Sequence, residues 1–242
     1  MVNNCTILKN KIFYSDYGKG QPIIFLPGLD GKSDIWNQQI SELSMDFRVI
    51  CLDFSKISSD FISLHNMMQL INEFVMYMEL KSAIFVGYSV GAYFALSYSS
   101  RHPNMTNSII LTSLGALQTL DETAKYYIHN YNPPKSYFKR FCDKIVGKGD
   151  NNSYLVSRFA HLLKNSIISN EFSKSSSPIL IVNGENDQKN IMVVSTKAYE
   201  EKGNFIVDME IIPKVGKDCF VENPSAYNGI IKDFISRNIS PL

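Results

Sequence analysis

Short apolar runs recur along this chain, separated by polar stretches and by segments with apolar residues at helical spacing. Eight runs read as strands: Thr6 to Leu8, Ile12 to Asp16, Pro22 to Leu26, Phe47 to Asp53, Ala83 to Val86, Ser108 to Thr112, Ile179 to Asn183 and Phe205 to Ile212. Between Leu64 and Met78, apolar side chains fall at Met67, Met68, Ile71, Phe74, Val75 and Met78, which places them on one side of a helix. Tyr227 to Ile235 repeats the pattern near the end of the chain. Stripes of this kind face a core, so they carry no functional assignment. Strands alternating with helices predict an α/β fold, with a mostly parallel sheet covered by helices on both faces.

The rhythm breaks between about Gly115 and Ser177, a stretch rich in tyrosine and phenylalanine and interrupted at Asn132-Pro133-Pro134 and at Gly147-Lys148-Gly149-Asp150. It reads as a helical cap of residues 115–177 inserted after the sixth strand, with residues 1–114 and 178–242 forming the core. Ser173 to Ser177 reads as a flexible return to the sheet. The cap aromatics either pack on the main domain or line an apolar pocket.

With 242 residues, 45% hydrophobic and 19% charged, the chain can bury one substantial core and is too short for two full domains. Lys and Arg number 24 against 23 Asp and Glu, a net charge of +1 with no block of one sign, which argues against a nucleic-acid partner. Met1-Val2-Asn3-Asn4-Cys5 lacks the features of a signal peptide, and no run is long enough to span a bilayer, so the expectation is a cytoplasmic protein without a membrane partner. Four dispersed cysteines, Cys5, Cys51, Cys142 and Cys219, suit reduced thiols rather than a disulfide frame or a zinc site. Neither a metal nor a cofactor is implied.

The candidate chemistry begins at Gly87-Tyr88-Ser89-Val90-Gly91, between the apolar run ending at Val86 and the helical stretch from Ala92. A serine flanked by glycines at a strand-to-helix turn is forced into strained backbone angles, and Oγ projects into a cleft. This segment resembles the nucleophile elbow of the α/β-hydrolase family. The resemblance implies the α/β-hydrolase fold, with an eight-stranded sheet and Ser89 as nucleophile. In that family a Pro-Gly or His-Gly pair ends the third strand, and Leu26-Pro27-Gly28-Leu29-Asp30-Gly31 matches it. Carried over, the backbone N–H groups of Leu29 and Val90 form the oxyanion hole. The family's acid follows the seventh strand in a pattern like Asn183-Gly184-Glu185-Asn186-Asp187, which makes Asp187 the candidate. Asp53 begins a partial match to another family loop, but Phe54-Ser55-Lys56-Ile57 lacks its glycines.

The base departs from the pattern. Family members carry a histidine after the eighth strand; here the stretch reads Val215-Gly216-Lys217-Asp218-Cys219-Phe220-Val221-Glu222-Asn223-Pro224, with Lys217 in the histidine's place. Lysine keeps its proton up to about pH 10.4, and half-deprotonating it near neutrality costs about 4 kcal/mol. A neighbouring aspartate favours the ammonium further. A Lys217–Asp187 ion pair is therefore the more economical arrangement than a proton-abstracting triad. Of the histidines, His65 and His102 read as surface groups, whereas His129 and His161 fall in the cap. Cys219 stands two residues beyond Lys217, facing the cleft or away from it.

Two functions follow as expectations. One is acyl transfer from a small or medium ester or thioester, bound under the cap, by an atypical site of Ser89, Asp187 and Lys217. The other is a non-hydrolytic member of the same fold that has lost its base and binds a ligand or a protein.

Overall fold

In the computed structural model, which describes residues 2–114, 158–159, 171–172, 174–187 and 207–239, every predicted run overlaps a strand, with Leu8 and Phe47 falling just outside theirs and residues 205–206 outside the described residues. The strands are β1 (Val2–Ile7), β2 (Asn10–Tyr17), β3 (Pro22–Leu26), β4 (Arg48–Asp53), β5 (Ala83–Tyr88), β6 (Thr106–Thr112), β7 (Ile179–Gly184) and β8 (Val207–Ile212). They form one sheet in the order β1-β2-β4-β3-β5-β6-β7-β8. β2 runs antiparallel to β1 and β4, and the other neighbouring pairs are parallel. The mostly parallel α/β sheet is thus as the sequence predicts.

Side chains alternate across a strand, so odd and even positions build two cores. Ala83 and Phe85 of β5, with Ile24 and Leu26 of β3, enter one cluster; Ile84 and Val86, with Ile23 and Phe25, enter the other. The first face is covered by α2 (Leu64–Tyr77) and α3 (Val90–Arg101), following α1 (Asn37–Leu43) in the chain. Met67, Met68, Ile71, Phe74 and Val75 of α2 are buried there, the face the spacing predicts. The second face is covered by α4 (Pro224–Asn238), through Tyr227, Ile231 and Phe234, together with Trp36 and Phe220. Burying each of these larger side chains contributes about 2–3 kcal/mol. Both long outer helices are capped: Ser63 accepts from the N–H of Asn66, and Asn223 accepts from that of Ala226, with Pro224 opening the helix.

Of the described residues between β6 and β7, three apolar ones, Leu114, Phe159 and Phe172, belong to the first core. Phe159 and Phe172 are buried in it, and the Phe159 ring lies 5.8 Å from Phe94. Glu171 makes a two-pronged bond to Arg101 at the end of α3, at 3.0 and 3.1 Å. Replacing Glu171 with Gln removes the charge and keeps the shape; with the Arg101 side chain 39% exposed, the expected loss is about 1 kcal/mol, measured by urea unfolding. The rest of the expected cap, including Tyr126, Tyr127, Tyr131, Tyr137, Phe138, Phe141 and Tyr154, lies outside the described residues. Cys5, Cys51 and Cys219 are buried free thiols, and Cys142 is outside the described residues. Among the described residues no helix is long and apolar enough to cross a membrane.

Candidate active site

The ends of β3, β5, β6, β7 and β8 meet at one edge of the sheet, where each strand turns into the next segment. Ser89 is the residue between β5 and α3, with φ 56° and ψ −114°, a backbone conformation that L residues rarely adopt and that costs about 1–3 kcal/mol. Its N–H donates to the carbonyl of Thr112 at 3.0 Å, and the residue is 6% exposed. The flanking glycines are there for contact. A Cβ on Gly87 would stand 2.2 Å from the Gly91 carbonyl oxygen, and one on Gly91 would stand 2.3 Å from that of Leu26. Helix and strand therefore touch backbone to backbone.

The loop after β3 closes on itself, the Gly31 N–H donating to the Gly28 carbonyl at 3.0 Å with Gly31 at φ 71°. Phe54 N–H donates to the Gly31 carbonyl at 2.7 Å. Asp53 accepts from the N–H and hydroxyl of Ser33 and from those of Ser55, so it fastens this loop to the one after β4 despite the missing glycines. Leu29 lies in the fastened loop. Val90 is the first residue of α3, and its N–H is one of those that a helix start leaves without an intrahelical acceptor.

Asp187 follows β7 in a turn, its N–H donating to the Gly184 carbonyl at 3.0 Å. Ser113, just past β6 at φ 51° and fully buried, links it to the segment after β8. Its Oγ donates to the carbonyl of Lys217 at 2.6 Å and lies 3.4 Å from Oδ2 of Asp187. A hydroxyl has one proton for these two acceptors, and the shorter contact takes it. The two segments also touch directly. Asn186 N–H donates to the Val215 carbonyl at 2.9 Å, and a Cβ on Gly184 would stand 2.0 Å from the Gly216 carbonyl oxygen. Lys217 itself is exposed. Cys219 is buried, and burial, with Glu222 and Asp187 adding to it, pushes its thiol up to about 12, so the group stays protonated.

His102 is at the far end of the 12-residue α3, about 18 Å along the helix from Ser89. It stacks on Tyr98 with ring centroids 4.5 Å apart, and burial and Arg101 lower its pKa. His65 is exposed on α2. His129 and His161 lie outside the described residues.

Sequence reasoning missed two further side chains. Tyr88 donates its hydroxyl to Oδ1 of Asp218, and its ring lies 4.9 Å from that of Phe220. Burial, the bond to Asp218 and the fields of Asp187 and Asp30 all raise the phenol's pKa, so Tyr88 is a donor at every ordinary pH. Burial also raises that of Asp30. The identities of Tyr88, beside the elbow serine, and Asp218, beside Lys217, were legible; their contact, across 130 positions, was not.

The model of a family described as alpha/beta hydrolase fold matches residues 21–156. No curated protein matches the chain. Among solved structures, it is similar to an E-2-(acetamidomethylene)succinate hydrolase, with 16% identity and a TM-score of 0.77 over 98% of this chain and 99% of that one. It is also similar to an enol-lactonase from Burkholderia xenovorans LB400 (13% identity, TM-score 0.72, 97% and 100% covered). A carboxylesterase, CesB, from Bacillus subtilis has 14% identity and a TM-score of 0.71, with 99% and 92% covered. At these identities the likeness is one of fold.

Proposed function

This chain belongs to the alpha/beta hydrolase family, and on that premise we propose that it transfers the acyl group of a small or medium ester or thioester through Ser89. The observation that carries the reading is the strained backbone of Ser89, at φ 56° on a strand-to-helix junction built by two glycines without room for a side chain. Such strain persists where the surrounding structure imposes it, and it clusters at reactive residues. The carboxylesterase and lactonase among similar folds are in keeping with ester chemistry, the cyclic ester of a lactone included.

In this reading Oγ of Ser89 bonds to the acyl carbon and gives up its proton as the carbonyl oxygen takes the negative charge. The N–H groups of Leu29 and Val90 meet that charge. The alkoxide or thiolate then leaves with a proton, and water releases the acyl group from Ser89. Asp187 is the acid of the site, and Lys217 replaces the usual imidazole. As an ammonium Lys217 steadies negative charge on a substrate; as a neutral amine it accepts the Ser89 proton.

The test is hydrolysis of short p-nitrophenyl esters together with labelling by a fluorophosphonate. Turnover is expected to be weak near neutrality and to climb with pH, because neutral amine must form first. Ser89→Ala is expected to abolish labelling and to lower the already weak hydrolysis about tenfold, to the level of an uncatalysed cleft. Turnover that is brisk at neutral pH, or flat from neutrality upward, would count against Lys217 as the base.

A second reading has its own observation: Lys217 is exposed, and His102 stands at the opposite end of α3 from Ser89. A member of this fold without a working base serves as a ligand-binding module. An inert parent that still binds a small ester or acid in calorimetry would favour it.

A further inference from the structure

Tyr88 touches three parts that an acyl-transfer site has to keep in register. It immediately precedes Ser89. Its ring lies so close to Gly28 that a Cβ there would be 2.8 Å from Cδ1 and 3.0 Å from Cε1, so the ring presses on the loop that ends β3. Its hydroxyl donates to Asp218, the residue after Lys217.

The segment around Lys217 is otherwise held from its other sides. Ser113 holds the Lys217 carbonyl, Asn186 holds that of Val215, Glu222 accepts from the Gly216 N–H, and Gln39 donates to the Phe220 carbonyl at 2.8 Å. Among the described hydrogen bonds, that of Tyr88 to Asp218 is the one that joins this segment to the elbow strand. A half-buried phenol gains from a partner for its hydroxyl, and a charged acceptor makes the stronger bond. The ring is rigid, so a shift at either end is transmitted to the other.

We propose that Tyr88 is a positioning residue: through its hydroxyl on Asp218 and its ring on Gly28, it sets the spacing between the oxyanion loop, Ser89 and position 217. The inference rests on Ser89 as the nucleophile and goes beyond it, since it assigns the side chain that aligns the parts. Tyr88→Phe isolates the hydroxyl, because the ring contacts with Gly28 and Phe220 survive. Asp218→Ala removes the other end of the bond, whereas Asp218→Asn leaves an oxygen to accept it.

The experiment reads two quantities in the full chain: the rate of fluorophosphonate labelling, and amide hydrogen exchange in peptides covering residues 28–33 and 213–220. Tyr88→Phe and Asp218→Ala are each expected to slow labelling about tenfold, since small misplacements of reacting groups are costly. The double variant should fall no further than either single one, the sign of a pair acting as a unit. Asp218→Asn should stay within about threefold of the parent, as expected where a neutral acceptor replaces a charged one. Exchange in both peptides should rise in the slow variants while the melting temperature stays within a few degrees. Effects that add in the double variant, or exchange unchanged in either peptide, would overturn the proposal. Should Tyr88→Phe fail to fold, the Asp218→Ala and Asp218→Asn pair decides it. A parent that never labels sinks the reading of Ser89 instead; raised exchange in both peptides then still upholds the clamp, and unchanged exchange overturns it.

Discussion

Lys217→His is expected to raise the kcat/KM for short p-nitrophenyl esters near neutral pH by about 100-fold, the lower end of what a positioned general base contributes. The fold needs no rearrangement to accept the change. The Lys217 backbone is held by Ser113, whose Oγ lies 3.4 Å from Oδ2 of Asp187, so position 217 and the candidate acid already share a neighbour. An imidazole releases its proton near pH 6.5, where lysine keeps its own, and a nearby carboxylate raises that figure moderately without removing it from the working range. The variant's rate should therefore rise with pH through the imidazole's titration and level off, whereas the parent's keeps climbing toward the alkaline side. Steady-state kinetics across that pH range distinguish the two profiles. A change under threefold would mean that position 217 is turned away from Ser89, and the account of the site would fail with it. A parent without turnover beside a brisk variant would favour the ligand-binding reading.

Gly91→Ala is expected to destabilise the chain by about 2–3 kcal/mol net, a large share of a typical domain's stability. The new methyl carbon would lie 2.3 Å from the carbonyl oxygen of Leu26, 2.5 Å from that of Pro27 and 2.7 Å from the carbonyl carbon of Leu26. All three are backbone atoms at the end of β3, so no side chain can rotate aside. Alanine is favoured over glycine within a helix by about 1 kcal/mol, which offsets part of the clash and leaves the steric term dominant. Gly229 in α4 supplies the contrast, because nothing lies within 4 Å of a Cβ built there. Gly229→Ala should stabilise by about 0.5–1 kcal/mol. Urea midpoints for the pair check both signs, and a Gly91→Ala variant as stable as the parent would refute the close approach at the elbow.

The strands were legible because six of them bury continuous or alternating apolar runs against one core or the other, while β8, with Ile212 alone buried, shows a run that is apolar only in part. The errors fall where polar residues form regular structure. β1 starts at Val2, ahead of the predicted Thr6, since its outward positions face water and only Cys5 and Ile7 are buried. Leu8 was read as strand but turns the hairpin with Lys9, at φ 49° and 64°, angles that sequence signals assign to glycine or asparagine. α1, Asn37–Leu43, is too polar to show a stripe.

Ser89, Asp187 and Lys217 could be proposed for the site because each follows an apolar run in a recognisable local pattern. Ser113 and the Tyr88–Asp218 bond could not, because each joins residues more than 100 positions apart. The loop after Asp53 lacks the family's glycines, yet the Asp53 carboxylate does the fastening through two serines.

Lys217 contributes to the architecture through its carbonyl, while the residue itself is exposed. Chemistry at this position is thereby uncoupled from folding. A lineage can exchange a reactive group for an inert one here, and restore it generations later, without passing through a misfolded ancestor.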